Sequence, residues 1–276
     1  MPDFTARREA FRALHSSGCF VIPNPWDTGT SRYLCHLGFK ALATTSAGLA
    51  FSQGLPDSEA VPREAVLRHM AEIVAATDLP VNADFESGYA DSPDGVALSV
   101  ALCVATGVAG LSIEDATGDR SNPLYDVPMA VERLKAARSA IDASNSGVML
   151  VGRAECFLTG HPDPLKESIR RLEAYASAGA DVLYAPGVRT REDIQAVVRA
   201  VHPRPVNVLM GWNTGLKVSD LAEIGVRRIS VGSSLARVAW TAFIRAAKSI
   251  AQEGSFTDFD GLVPYAELND LFRNDH

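Results

Sequence analysis

The residues best suited to chemistry in this chain are acidic, and they stand where short apolar runs end. Asp84-Phe85-Glu86, Glu114-Asp115 and Arg153-Ala154-Glu155 each close a β-rich stretch. Asp84, Glu86 and Glu114 offer hard carboxylate oxygens of the kind Mg²⁺ takes, with Mn²⁺ as a substitute, and three such groups on one rim repel one another without a cation. Arg153, in an otherwise apolar run, offers a planar fork for a carboxylate or phosphonate. Ser46, Ala47 and Gly48 form a loop whose small side chains let backbone N–H groups approach a developing oxyanion. Trp26, in Asn24-Pro25-Trp26-Asp27, provides either an aromatic wall over the site or part of a turn and helix cap. Residues 116–126 (ATGDRSNPLYD) are polar and Gly/Pro-bearing, as a lid would be. The six histidines show no metal-ligand spacing, and the four cysteines lie far apart, which fits reduced core thiols and a cytoplasmic setting.

Something must carry these groups to one place. Eight β-rich runs, at 19–23, 40–44, 80–85, 110–114, 148–153, 181–185, 205–210 and 228–232, alternate with stretches of helical period. That order implies parallel strands joined by right-handed crossovers. The phrases LGFKAL, TGVAGLSI, AGADVL and IGVRRI repeat one device, a glycine that ends a helix before the next strand. Eight such units in 276 residues suit an α/β fold, a closed (β/α)₈ TIM-type barrel, with an open doubly wound sheet as the alternative. The barrel puts the acidic groups together at the carboxyl ends of its strands. The chain reads as one domain over 1–276, with 255–276 as a helical extension.

Composition narrows the partners. Lys+Arg 26 against Asp+Glu 33 gives a net charge of −7 without a basic run, which argues against nucleic acid and for a small-molecule ligand. Hydrophobic residues at 47% and charged ones at 21% exclude a disordered chain. The uncharged stretch 96–113 is divided by Gly107 and Gly110, so no membrane span is expected. Its helical half, 96–105, is apolar on nearly every face and calls for cover by a second subunit.

Taken together, TSAGLAFSQGLPD (45–57), ADFESGYAD (83–91), SIEDATGDRSNPL (112–124), GRAECFLTG (152–160) and LEAYASAGADVL (172–183) resemble the phosphoenolpyruvate mutase / isocitrate lyase superfamily. The resemblance covers roughly residues 18–250. It implies an α/β barrel that exchanges a helix between subunits of a homo-oligomer, a dimer or tetramer, with Mg²⁺ as cofactor and an α-oxo carboxylate as ligand. It implies Asp84 as direct metal ligand, Glu86 and Glu114 as ligands through water, and Arg153 as the substrate arginine. Ser46 and Ala47 would form the oxyanion and carboxylate pocket, and Asp57 would face the transferred group. Asn122 and Arg120 fall at lid positions of the mutase branch. Four departures bear on activity. Position 86 is Glu where the family usually has Asp, and the lid lacks the Lys-[Lys/Arg]-Cys-Gly-His of the lyase branch. Ala116 and Pro186 replace a Lys and a His of the mutase branch. The expectation is a lyase-type enzyme, a C–C lyase or decarboxylase acting through an enolpyruvate-type intermediate. Phosphonopyruvate mutase or hydrolase chemistry and a non-catalytic α-oxo-acid binding protein are the alternatives.

Overall fold

The computed structural model describes residues 4–274. Eight strands, β1 (Phe20–Ile22), β2 (Leu42–Ala43), β3 (Val81–Asp84), β4 (Gly110–Glu114), β5 (Met149–Arg153), β6 (Val182–Tyr184), β7 (Val206–Leu209) and β8 (Arg228–Ser230), pair in parallel in the order β1-β8-β7-β6-β5-β4-β3-β2. The gap between β1 and β2 is bridged where the Ala43 N–H donates to the Pro23 carbonyl at 3.0 Å. The Asn24 side-chain amide donates to the Thr44 carbonyl at 2.8 Å and extends that bridge. The sheet therefore curls into the (β/α)₈ barrel, and each strand lies within two residues of its expected limits.

Helices α2 (Thr28–His36), α3 (Ser46–Ser52), α4 (Arg63–Ala75), α5 (Pro93–Ala105), α6 (Val127–Ala143), α7 (Pro164–Ser177), α8 (Arg191–Ala200), α9 (Val218–Glu223) and α10 (Ser234–Glu253) follow the strands, with α1 (Thr5–Leu14) before them and α11 (Tyr265–Asn274) after. The repeated glycine phrase has a geometric basis. Gly38, Gly107, Gly179 and Gly225 all adopt positive φ, between 82° and 99°, which reverses the chain from helix into strand at no steric cost to glycine. Among the described residues no helix is long and apolar enough to cross a membrane.

Two apolar layers hold the barrel. The larger lies between sheet and helices, with Ile73, Val100, Leu111, Ile141 and Leu172 fully buried. The smaller fills the barrel's amino-terminal end, where α1 inserts Phe11 among Ile22, Ala41, Ala109 and Met149. The apolar helix α5 buries Val96, Val100 and Cys103 but leaves Leu98 and Leu102 exposed. At the far end of the chain, α11 returns to α2. Arg32 donates to the Phe272 carbonyl at 3.0 Å and lies over its ring. Phe256, Leu262, Val263 and Tyr265, in and beside that tail, remain exposed.

His15 seals the plug and makes stability depend on pH. It is 5% exposed, packs edge-on against Phe11 and Phe20, and its Nδ1 pairs with the Phe11 carbonyl at 2.7 Å. Its Nε2 has no hydrogen-bond partner among the described residues. Burial, then the nearby Arg228 guanidinium, pushes its pKa down to about 3. The folded state thus resists a proton that the unfolded chain takes up below about 6.5, so this contribution to stability is complete above that pH and is lost as pH falls toward 3. Between pH 7 and pH 5 the wild type should lose about 2 kcal/mol more than His15→Gln, read from urea unfolding at the two pH values. Parallel losses would assign the pH dependence elsewhere.

Candidate active site

The carboxyl ends of β2 to β5 bring the acidic groups together around Arg153. From the last residue of β5 its NH1 reaches Asp84 Oδ1 at 3.1 Å and Glu114 Oε2 at 2.9 Å, while its Nε donates to Glu155. The guanidinium also sits 5.4 Å from the centroid of the Tyr184 ring. Asp84 is held from its other side, where Oδ2 accepts from the Ser46 N–H at 3.0 Å and from the Ser46 hydroxyl at 2.9 Å. Those bonds form because α3 starts at Ser46, with Thr45 as its N-cap, and presents its first N–H groups to the site.

Glu86 lies in a strained segment. Its own φ is 46°, and Ser58, Glu59 and Tyr89, also with positive φ, surround it. Its carboxylate accepts from the Glu59 N–H at 2.6 Å and from the Tyr89 hydroxyl at 2.7 Å. Burial first, then the charges of Asp84 and Asp57, raise its pKa to about 7. Non-glycine residues in this region cost free energy, so the surrounding contacts must hold them there. Asp57 is open at the mouth, yet protein surrounds it on enough sides for burial and the Asp84 charge to push its carboxyl up. Glu114 is raised well above the ordinary carboxylate range by burial, although Arg153 opposes this.

Asp84, Glu114 and Glu155 thus share the Arg153 guanidinium, and Glu86 and Asp57 stand on the lining of the same cavity. Among the described residues no three Asp, Glu, His or Cys side chains stand close enough to hold a cation as placed. Arg153 lies between two of the expected ligands, and the Glu86 carboxylate is tied to Tyr89 and Glu59. The donor set nonetheless fits a hard divalent cation, because it consists of carboxylate oxygens in negative excess with few competing positive charges.

Two cavities open from this cluster. The upper one, about 520 Å³, is lined by Asp57, Glu86 and Glu114 and walled by Ala116, Gly118 and Arg120 of the expected lid. That segment is a small hairpin, with an antiparallel bridge between Ala116 and Leu124. The lower one, about 170 Å³, runs down the barrel from Ser46, Ala47 and Arg153. Behind them Asp115, 2% exposed, accepts from the Glu155 N–H at 2.8 Å, from Arg171 at 2.9 Å and from the Tyr175 hydroxyl.

Three expected residues stand differently. Trp26 lines neither cavity. Its Cβ would lie 2.9 Å from a Cβ built on Gly48, so it packs beside α3 rather than over the site. Gly48 is needed for that close approach, and its N–H is spent on the Thr45 hydroxyl at 3.2 Å instead of pointing at a ligand. Asn122 is exposed and outside both linings, because its backbone is folded into the lid turn with Asp119 and Thr117. Conversely Glu155, Tyr89, Glu59, Tyr184 and Arg228 belong to the site or its walls. Arg228 could have been found by the test that singled out Arg153, a charged residue within an apolar strand.

Known proteins resemble this chain in sequence and in fold. The family model for phosphoenolpyruvate phosphomutase matches residues 11–251. An uncharacterized protein of Mycobacterium tuberculosis H37Rv is 34% identical over 264 residues, 94% of each chain. An oxaloacetate decarboxylase of Bradyrhizobium diazoefficiens is 30% identical over 207 residues, covering 72% of this chain and 69% of that one. Among solved structures, a protein of Burkholderia cenocepacia J2315 described as a lyase/mutase is 49% identical, with a TM-score of 0.93 over 98% of this chain and 96% of that one. Oxaloacetate acetylhydrolase in complex with oxalate is 25% identical, with a TM-score of 0.85 over 98% and 95%. The barrel, the family match and these likenesses agree: the chain belongs to the phosphoenolpyruvate mutase / isocitrate lyase superfamily, whose enzymes are of lyase and mutase type.

Proposed function

We propose that this chain is a Mg²⁺-dependent enzyme that breaks the bond beyond C3 of a small α-oxo carboxylate, with oxaloacetate decarboxylation as the simplest such reaction. The observation that carries this reading is the gathering of five carboxylates at the junction of two cavities, three of them paired with Arg153. Asp84, Glu86 and Glu114 would hold the cation, which when bound supplies positive charge to the oxo and carboxylate oxygens of the substrate.

The chain's own residues do the rest. Ser46 fixes Asp84 in one orientation through two hydrogen bonds, and Arg153 balances the carboxylates that face the ligand. Asp57, at the mouth, faces the group that departs. In oxaloacetate the C3–C4 bond breaks, its electron pair passes into the enolate of pyruvate, C4 leaves as CO₂ and C3 takes a proton from water. No acid is required of the lid for that sequence, which suits a wall whose ionisable side chains are Asp119 and Arg120. Cleavage of methylisocitrate, which needs a proton handled at the departing group, has no Cys, Lys or His in this wall to serve it. The phosphorus alternative needs Asn122, Arg120 and Asp57 together, and Asn122 lies outside the cavity lining.

The test is turnover of purified protein with Mg²⁺, followed by NMR. Oxaloacetate should be lost at ordinary enzymatic rates, of the order of 1–10³ s⁻¹, and methylisocitrate should be inert. Oxaloacetate loss no faster than with free Mg²⁺ overturns the reading, and binding without turnover would favour a sensing protein.

A further inference from the structure

The turn that carries Glu86 is held from behind by a buried cation. Residues 85–91 follow β3, and Glu86, Gly88 and Tyr89 within them adopt φ of 46°, 90° and 55°. Three carbonyls of this turn converge on Arg133, a residue of α6 that is fully buried. Its NH1 donates to the Ala90 carbonyl at 2.6 Å and to the Asp91 carbonyl, and its NH2 donates to the Ser87 carbonyl. Among the described residues no carboxylate forms an ion pair with it. Against its face lies the Tyr125 ring, with the guanidinium carbon 4.1 Å from the ring centroid. A planar fork can reach three carbonyls and lie over a ring at once, which the point charge of a lysine cannot. A buried charge gains little stability over a hydrophobic side chain of the same volume, so what this one contributes is a single geometry for the groups it binds.

Those groups stand behind two walls of the upper cavity. Ser87 is one peptide from Glu86, and its hydroxyl donates to Glu59, whose own N–H donates to the Glu86 carboxylate at 2.6 Å. The Tyr89 hydroxyl donates to the same carboxylate at 2.7 Å. The carbonyls of Ser87 and Ala90 flank Gly88 and Tyr89, so the guanidinium pins the turn on both sides of one donor to Glu86 and beside the partner of the other. Tyr125 ends the lid segment 116–126, and its hydroxyl donates to Asp91 at 2.7 Å. Leu124, just before it, makes the bridge to Ala116. Arg133 itself lines neither cavity. We propose that Arg133 is a positioning residue for the candidate metal centre, acting on Glu86 through the 87–91 turn, and that Tyr125 makes the stem of the lid part of the same rigid unit. The metal half of this rests on the reading given under Proposed function, and the rigid unit does not.

The test uses the full chain, with Mn²⁺ alone titrated by calorimetry and amide hydrogen exchange of the metal-free protein followed by mass spectrometry. Arg133→Lys keeps the charge and removes the fork. Tyr125→Leu removes the ring and the hydroxyl, whereas Tyr125→Phe keeps the ring. Arg133→Lys and Tyr125→Leu should each weaken Mn²⁺ by about 10–100-fold, the cost of losing an outer group that orients a metal ligand. In both, exchange within 85–91 and 116–126 should quicken by about tenfold or more, while β1, α1 and α8 exchange as in the wild type. Tyr125→Phe should stay close to wild type on both readouts. A purely structural role for Arg133 does not confine the change to these two segments. If Arg133→Lys fails to fold, the two Tyr125 variants carry the test. Exchange within 85–91 no faster than wild type overturns the proposal, and so does Mn²⁺ affinity within about twofold of a wild type that binds the ion. Absence of Mn²⁺ binding in the wild type would sink the metal reading, and the rigid unit would then stand or fall on the exchange alone.

Discussion

Replacing Asp84 with Ala should abolish both metal-dependent stabilisation and turnover. Asp84 ends β3 and is fixed by the Ser46 N–H and hydroxyl on one side and by Arg153 on the other. Its orientation is therefore set by Ser46 at the start of α3 and by Arg153 at the end of β5. Losing a group that merely orients a metal ligand costs about 10–100-fold in affinity, so losing the central carboxylate should cost at least about 100-fold. Added Mg²⁺ or Mn²⁺ raises the melting temperature of a protein that binds it only when folded. That rise should be present in the wild type and missing in Asp84→Ala and in the near-isosteric Asp84→Asn. The same carboxylates crowd one guanidinium when no cation is added, so Asp84→Asn without metal should melt no lower than wild type. A site built for function gives up stability in this way. An unchanged metal response in both variants would remove Asp84, and with it the proposed centre, from the chemistry.

Much of this was legible in the sequence, for identifiable reasons. The strands could be placed within two residues because buried parallel strands are dense in Val, Ile, Leu and Ala. In four units a glycine also had to reverse the chain before the next strand. Once the barrel was inferred, the strand ends followed, and with them Asp84, Glu114 and Arg153. What sequence spacing does not encode is side-chain direction after a strand ends. Glu86 follows β3 by two residues, yet its positive φ turns the carboxylate toward Tyr89 and Glu59. Ser46 and Gly48 look like a loop of small residues, but Thr45 caps a helix there. The Ser46 N–H is consequently committed to Asp84 and the Gly48 N–H to Thr45. Trp26 had two readings, wall or turn and cap. The structure favours the second, since Asp27 accepts from the Thr30 N–H at 2.7 Å and caps α2.

Asp115→Ala should produce the largest loss of stability among single changes near the site, and it should cost activity without touching the ligand. The Asp115 carboxylate joins two parts of the molecule, the Glu155 N–H just after β5 and Arg171 and Tyr175 on α7, and the Tyr125 end of the lid is tied to the same residues. Tyr125 joins because its N–H donates to the Asp115 carbonyl and its own carbonyl accepts from Arg171 at 2.8 Å. Truncation leaves a buried guanidinium with Glu167 as its remaining ion-pair partner among the described residues, and a buried phenol without its acceptor. Removing one partner from a buried pair costs about 3–5 kcal/mol, far above the range of an exposed ion pair. In a domain of this size that is on the order of 10 °C of melting temperature. Catalysis should follow, because Glu155 loses the bond that fixes its backbone and Glu155 in turn orients Arg153. The expected signature is a fall in kcat, with the metal response of the folded fraction retained, since Asp84 and Ser46 lie on the other side of the cluster. Asp115→Asn, which keeps an oxygen for Arg171 or for Glu155, should fall between wild type and Ala on both measures. A melting temperature for Asp115→Ala within about 3 °C of wild type would show that Arg171 finds another partner, and would detach the site from the network behind it.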